Sequence, residues 1–357
     1  MFVNFARVSL CTCILTVGFS STIYAEGGGG GSLSPHTLCK KYLDTGGARL
    51  EKVDGALQKM QPFFQILGHV LKNPDVQWPS DSIQPNRLVT PERAMQLSAQ
   101  LKDNDSVLGK EMMEHILSLG NAASSTLWDK YFTAYDRIVG YAQGFWDIAF
   151  AADEILPKFG RIADYGAGTG NVSTLLGLSE PGRYIDAFDF SAGGLKIAQE
   201  KFQLVPGANL RRLDVIRFDL LIGRYPENVY DGAVMNNVLY NFKGQEKLIV
   251  LKKIFASLKP GAPFVLHDIV DAPADVLVRF MESTLRDAMM AGAPITEYDL
   301  ALMAKINISV LLAGQFLTLD QLQDLAREAG FEVRGAFKSY YDVGGFLYLT
   351  KPNLVTN

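Results

Sequence analysis

The spacing of apolar and polar positions changes character along the chain. Residues 34–120 repeat apolar positions at helical spacing, with breaks at Asn73-Pro74, Trp78-Pro79 and Gln84-Pro85. Thr90-Pro91-Glu92-Arg93 sets a cap before a proline in a first helical turn. From Arg161 to Tyr165 a short strand-like run breaks into Gly166, Gly168 and Gly170, and a helix-like segment follows. Arg183 to Asp189 reads as a second strand ending in an acid, and Asn209 to Val215 as a third strand with its exit. Near the end, Thr318 is placed to cap a helix that stops at Gly330. Two last strands are expected, Phe331 to about Lys338 and Gly345 to about Lys351, the second alternating and aromatic.

A strand that runs into alternating glycines is a nucleotide-binding loop. Glycine reaches backbone angles that other residues avoid and leaves no Cβ between main chain and ligand. A side chain at Gly168 is therefore expected to occupy ligand space. The spacing then decides among ligands. A dinucleotide fold wants G-x-G-x-x-G, whereas here the third glycine comes one position early at Gly170 and Asn171 stands in its place. This disfavours a nicotinamide oxidoreductase. A phosphate loop would end in Gly-Lys-Ser/Thr, and no lysine follows. Packing of helix on strand is the other reason for such a turn.

The Asp-x-Gly-x-Gly-x-Gly pattern of residues 164–170 resembles the first motif of class I S-adenosylmethionine-dependent methyltransferases. Residues 230–240, Tyr-Asp-Gly-Ala-Val-Met-Asn-Asn-Val-Leu-Tyr, resemble that family's fourth strand, which ends beside the methionine part of the cofactor and the methyl acceptor. Residues 258–268 resemble the helix end, Pro-Gly turn and fifth strand that follow. The resemblance covers roughly Trp128 to Lys351. It implies an α/β fold, a doubly wound Rossmann-like seven-stranded sheet, with a helical N-terminal extension at 26–125 and a methyltransferase domain at 126–353. A helical insert at 272–314 would follow the fifth strand, rich in Met and Leu, as an apolar lid or as a packing surface.

S-adenosyl-L-methionine is the cofactor that the resemblance implies. Asp164, Gly166, Gly168 and Gly170 would form its loop. Asp189, with Phe190 beside it, would take the ribose hydroxyls, since a carboxylate can accept from both. Asp214 would lie near the adenine amino group and Asn236 near the methionine part. Tyr135, or Tyr131, would reach in from the aromatic segment 126–137, which leads into the domain. Each acid also has a plainer reading: Asp189 as a cap for the Ser191-Ala192-Gly193 turn, and Asp186, Asp214 and Asp219 as solvated loop carboxylates.

Methyl transfer is an in-line displacement at a carbon on a positive sulfur. The leaving group is already activated, and the protein mostly has to align the acceptor. No metal is required, and no metal-ligand spacing is expected. Where an acceptor needs a base, His267 is the candidate, with Asp268 next to it, although strand neighbours point to opposite faces. Tyr240 is the second catalytic candidate, and Asn236 and Tyr340-Tyr341 border the same place. The rival reading is a non-catalytic relative that keeps the fold to bind a ligand or partner.

Charge narrows the acceptor. The chain carries 34 Lys and Arg against 38 Asp and Glu, spread without a basic stripe, so nucleic acid is not an expected partner. Residues 236–240 also lack the Asn/Asp-Pro-Pro-aromatic turn of enzymes that methylate base amines. A small or medium-sized molecule is expected, with protein methylation as the other reading. Residues 1–25 resemble a secretory signal cleaved after Ala25, or an uncleaved membrane anchor, though the apolar run is shorter than the roughly 20 residues of a spanning helix. Export or membrane association is expected if that segment acts, and a cytoplasmic protein otherwise.

Overall fold

The computed structural model describes residues 135–206, 212–273, 315–339 and 342–353, with Phe132 and isolated positions in 62–66 and 276–299. The expectations for residues 1–25, for nearly all of 26–125, for most of the insert and for Tyr131, Tyr340 and Tyr341 lie outside the described residues.

The elements run α1 (Gln143–Ile155), β1 (Gly160–Tyr165), α2 (Asn171–Ser179), β2 (Arg183–Asp189), α3 (Ala192–Gln203), β3 (Arg212–Arg217), β4 (Gly232–Asn236), α4 (Gln245–Ser257), β5 (Pro263–Ile269), α5 (Leu319–Glu328), β6 (Glu332–Ser339) and β7 (Gly344–Thr350). The seven strands lie in the order β3-β2-β1-β4-β5-β7-β6. The first five pair in parallel, and β7 runs antiparallel between β5 and β6. The central strands carry unbroken apolar runs because helices cover both faces of the sheet. Ala233, Val234 and Met235 of β4 and Phe264, Val265 and Leu266 of β5 are all fully buried.

Local signals set the last helix. The Thr318 hydroxyl accepts from Gln321 N while the Gln321 side chain accepts from Thr318 N, a reciprocal capping box. Gly330, with a φ of 105°, follows the end of the helix and turns the chain toward β6. The helix lays Leu322 and Ala326 onto the same core as Phe264 and Phe331.

The third strand departs from its expected place. Leu213-Asp214 looks like a strand exit, yet Val215 and Ile216 carry the pairing on to Arg217, with Asp186 opposite Asp214 and Asp189 opposite Arg217. Chain order reverses between β1 and β4, which are neighbours in the sheet. Ligands of open α/β sheets bind outside the carboxyl ends of the strands at such a switch point. Among the described residues no helix is long and apolar enough to cross a membrane.

Candidate active site

The glycine loop leaves β1 under tight backbone control. Gly166 N and Ala167 N both donate to Phe188 O, at 2.7 and 3.0 Å. Gly166, Gly168 and Gly170 take φ of 77°, 54° and 71°, a region that side chains with a Cβ avoid. Two of them also let neighbours approach. A Cβ at Gly166 would lie 2.3 Å from Val238, and one at Gly170 would lie 2.5 Å from the Ala198 methyl of α3. At Gly168 it would meet the Phe132 ring at 3.4 Å. A methyl group at Gly168 would thus make ordinary contact with the leading segment, and the positive φ alone disfavours a side chain there.

Asp189 ties this loop to the exit of β2. Its Oδ2 accepts from Gly168 N at 2.9 Å and its Oδ1 from Ser191 N at 2.8 Å. The cap of α3 is Ser191, whose hydroxyl accepts from Gly194 N, so Asp189 is not the helix cap. A carboxylate offers about four acceptor positions, which suits a diol as well as two amides. Phe190 follows it half-buried, and its carbonyl accepts from Arg217 Nε at 3.3 Å. Asp164, at the buried end of β1, accepts from Ser173 Oγ of α2 at 2.6 Å. Burial pushes its carboxyl up to about 7, and the Asp189 charge adds to the shift.

Asp214 does not join them. It stands three residues before the end of β3, opposite Asp186, about 10 Å of strand away from the ligand edge. The residues that reach that edge are Phe218 and Asp219. Phe218 N donates to Asp189 O at 2.7 Å, and Asp219 Oδ1 accepts from Leu221 N and Ile222 N. Asp219 is exposed and bonds only within its own turn, in keeping with its reading as a solvated loop carboxylate.

Across the switch point the polar groups hold one another. Asn236 Oδ1 lies 2.9 Å from His267 Nδ1, and His267 Nε2 lies 3.1 Å from Ser339 Oγ of β6. Burial pulls the imidazole down to about 3. With both nitrogens held and so little proton affinity, His267 does not fit a general base, which must reach the acceptor and hold a proton near neutral pH. Asn236 is likewise turned toward β5. The next residue, Asn237, was missed as a site residue. Its φ is 56° and its amide donates to His267 O at 2.8 Å, while its side-chain oxygen is buried with no hydrogen-bond partner. Asparagine tolerates that backbone better than most residues. The doubled Asn236-Asn237 at a strand exit was the available signal.

Asp268 points the other way from His267, as strand alternation requires. It receives backbone N–H groups from Leu239 and Tyr240, while Lys247 Nζ donates to Leu239 O at 2.7 Å. Burial raises the Asp268 carboxyl, and Lys247 opposes that shift. The two side chains pin the 3-10 turn Leu239–Asn241 from below. Tyr240, on that turn, is buried and packs against Phe316 with ring centroids 5.9 Å apart. Burial raises its phenol, with Tyr135 and Asp268 adding to the effect. Tyr135 is half-buried, and its phenol is raised by burial and by Asp136. Both phenols stay protonated near neutral pH, so Tyr240 can donate a hydrogen bond but does not fit a base.

A family model described as a methyltransferase domain matches residues 145–335, more than half of the 357 residues. The chain belongs to the S-adenosylmethionine-dependent methyltransferases. A ubiquinone/menaquinone biosynthesis C-methyltransferase of Desulfotalea psychrophila is 24% identical over 175 residues, covering 49% of this chain and 67% of that one. Among solved structures, a TehB-like SAM-dependent methyltransferase from Corynebacterium glutamicum is similar at 17% identity and a TM-score of 0.38, covering 57% of this chain and 86% of that one. A Haemonchus contortus phosphoethanolamine-type N-methyltransferase, solved with phosphomonomethylethanolamine and S-adenosylhomocysteine, gives 15% identity and 0.45, covering 63% and 58%.

The cofactor of this methyltransferase is S-adenosylmethionine, and the residues present fit it. The loop offers bare backbone at three positive-φ glycines, Asp189 offers a carboxylate beside that loop, and the orphaned Asn237 oxygen lies one residue from Val238, which packs on Gly166.

Proposed function

We propose that the methyltransferase alkylates a small or medium-sized acceptor by in-line displacement, with alignment as its main contribution. Bound S-adenosylmethionine supplies a methyl group on a sulfonium, already activated toward a nucleophile. Tyr135 and Tyr240 carry the reading. They come from opposite sides, the leading segment and the turn after β4, and their phenols feel one another. The reading places the acceptor beside these two phenols and Phe316, whose ring packs on Tyr240, so that neutral hydrogen-bond donors would orient it. Proximity of this kind is worth roughly 7–11 kcal/mol in well-aligned reactions.

The test is a panel of amines, thiols, phenols and quinols assayed for S-adenosylhomocysteine release by the purified chain. Turnover on one such class, with a KM at least tenfold higher in Tyr240→Phe, supports the proposal. Methylation confined to protein substrates contradicts it. We further propose that residues 1–25 direct export or membrane attachment, on the strength of their charged, apolar and small-residue order. Mass spectrometry of the mature N-terminus would show Glu26 as the first residue if cleavage occurs; an intact Met1 in a soluble fraction would exclude it.

A further inference from the structure

Asp136 and Arg137 follow Tyr135 on the leading segment, and both are buried. Their partners lie in different parts of the molecule. Asp136 Oδ1 accepts from Thr169 Oγ1 at 2.5 Å, inside the glycine loop, and from Asn171 Nδ2 at 2.9 Å, at the start of α2. Its Oδ2 pairs with Lys201 Nζ of α3 at 2.6 Å, and that ammonium also donates to Asn171 Oδ1 at 2.6 Å. Every member of this cluster is sealed from solvent. Arg137 reaches instead into the insert, where Nη1 donates to Asp299 Oδ2 at 3.1 Å. That same oxygen accepts from Thr296 N and Thr296 Oγ1, and Asp299 N returns a bond to Thr296 Oγ1. The pattern is a capping box, so Arg137 grips the carboxylate that starts a helical turn of the insert.

A buried ion pair adds little net stability over apolar side chains, but separating one is costly because a naked charge remains. The leading segment therefore cannot leave the glycine loop without stranding Lys201, and the insert cannot leave the segment without breaking the buried Arg137–Asp299 pair. Beyond the insert, Gln315 N donates to Tyr240 O and Phe316 packs on the Tyr240 ring.

We propose that Asp136 and Arg137 are positioning residues that couple the cofactor loop to the insert. Thr169 and Asn171, fixed when the loop holds its ligand, fix Asp136. The helical turn that the two residues share carries that order to Arg137, and Asp299 passes it to the insert. Cofactor binding thereby orders the turn of the insert around Thr296 and Asp299. The proposal rests on the glycine loop as the cofactor site and is independent of which acceptor is used.

Hydrogen exchange read by mass spectrometry on the full chain, with and without saturating S-adenosylhomocysteine, tests it. In the parent protein the ligand should slow exchange at least tenfold both at 166–171 and at 293–299. Arg137→Gln should keep the first effect and lose the second, and Arg137→Lys should restore part of it. Asp136→Asn combined with Lys201→Met, which leaves no charge buried alone, should also separate the two effects and raise the ligand Kd at least fivefold. Protection at 293–299 that ignores the ligand in the parent protein would overturn the proposal, as would protection that persists in Arg137→Gln. The parent comparison alone decides if a variant fails to fold. No ligand effect at 166–171 would instead overturn the cofactor site itself, and the coupling with it.

Discussion

The glycine loop and the turn after β4 face each other across the switch point, yet their polar groups are committed differently. On the loop side, backbone amides converge on one carboxylate at the carboxyl ends of the strands: Gly168 N and Ser191 N both meet Asp189. On the β4 side, the polar side chains hold the scaffold, with His267 between Asn236 and Ser339 and Asp268 beneath the Tyr240 turn. The lesson is one of burial. Asp189 and Asn236 each end a strand, yet Asp189 meets the backbone amides of Gly168 and Ser191 whereas Asn236 meets a buried imidazole, because a buried polar group must be satisfied by whichever neighbours surround it.

The sharpest way to break this contrast is at Gly170. A valine there would need a φ near 71° and would push against Ala198. Backbone strain of roughly 1–3 kcal/mol and overpacking of a similar size add up to a loss of about 4 kcal/mol. Urea unfolding should show it, and an unchanged midpoint would mean that the α2–α3 contact is not as close as described.

Asp189→Asn comes next. It replaces one acceptor oxygen with an amide that faces a backbone N–H, and hydrogen bonds to a charged group contribute about 1.5–3 kcal/mol. S-adenosylhomocysteine affinity should fall at least tenfold while circular dichroism stays the same. Retained affinity would move the ribose site elsewhere.

On the other side, His267→Gln should cost about 1–3 kcal/mol of stability by leaving a buried partner unsatisfied, with cofactor affinity within about twofold of the parent. A loss of turnover beyond a hundredfold in a folded variant would restore His267 as the base. The pH dependence sharpens this. The folded imidazole titrates at about 3, below its unfolded value of about 6.5. Between those values the unfolded chain binds more protons, so this contribution is complete above pH ~6.5 and is lost as pH falls toward 3. The variant should lack that part of the acid sensitivity. Asp164 acts in the opposite sense, its folded value of about 7 lying above the unfolded one, so its contribution is lost as pH rises. Parent and variant must therefore be compared at each pH.

The smallest effect belongs to Asp214→Asn, which should change stability by about 0.5 kcal/mol or less and leave cofactor affinity alone. A tenfold loss of affinity would bring Asp214 back to the adenine.

What the sequence made legible follows the same line. The loop and Asp189 were readable because positive φ and a strand-end acid are local demands written in neighbouring residues. The capping box at Thr318 was readable for the same reason. The slip of β3 was not, since Leu213 to Ile216 is apolar enough to end at either place and only its pairing with β2 fixes the register. The fate of His267 depends on Ser339, 72 residues away, and no periodicity reports that contact. The burial of Asp136 depends on Lys201 and Thr169, 65 and 33 residues away, and no local pattern reports either contact.

The most direct test of the central claim is calorimetric titration of the chain and its Asp189→Asn variant with S-adenosylhomocysteine, and with NADH as the control ligand. The account predicts saturable binding of S-adenosylhomocysteine, no binding of NADH, and at least a tenfold weaker complex in the variant. Binding of NADH, or equal affinity in parent and variant, would contradict it.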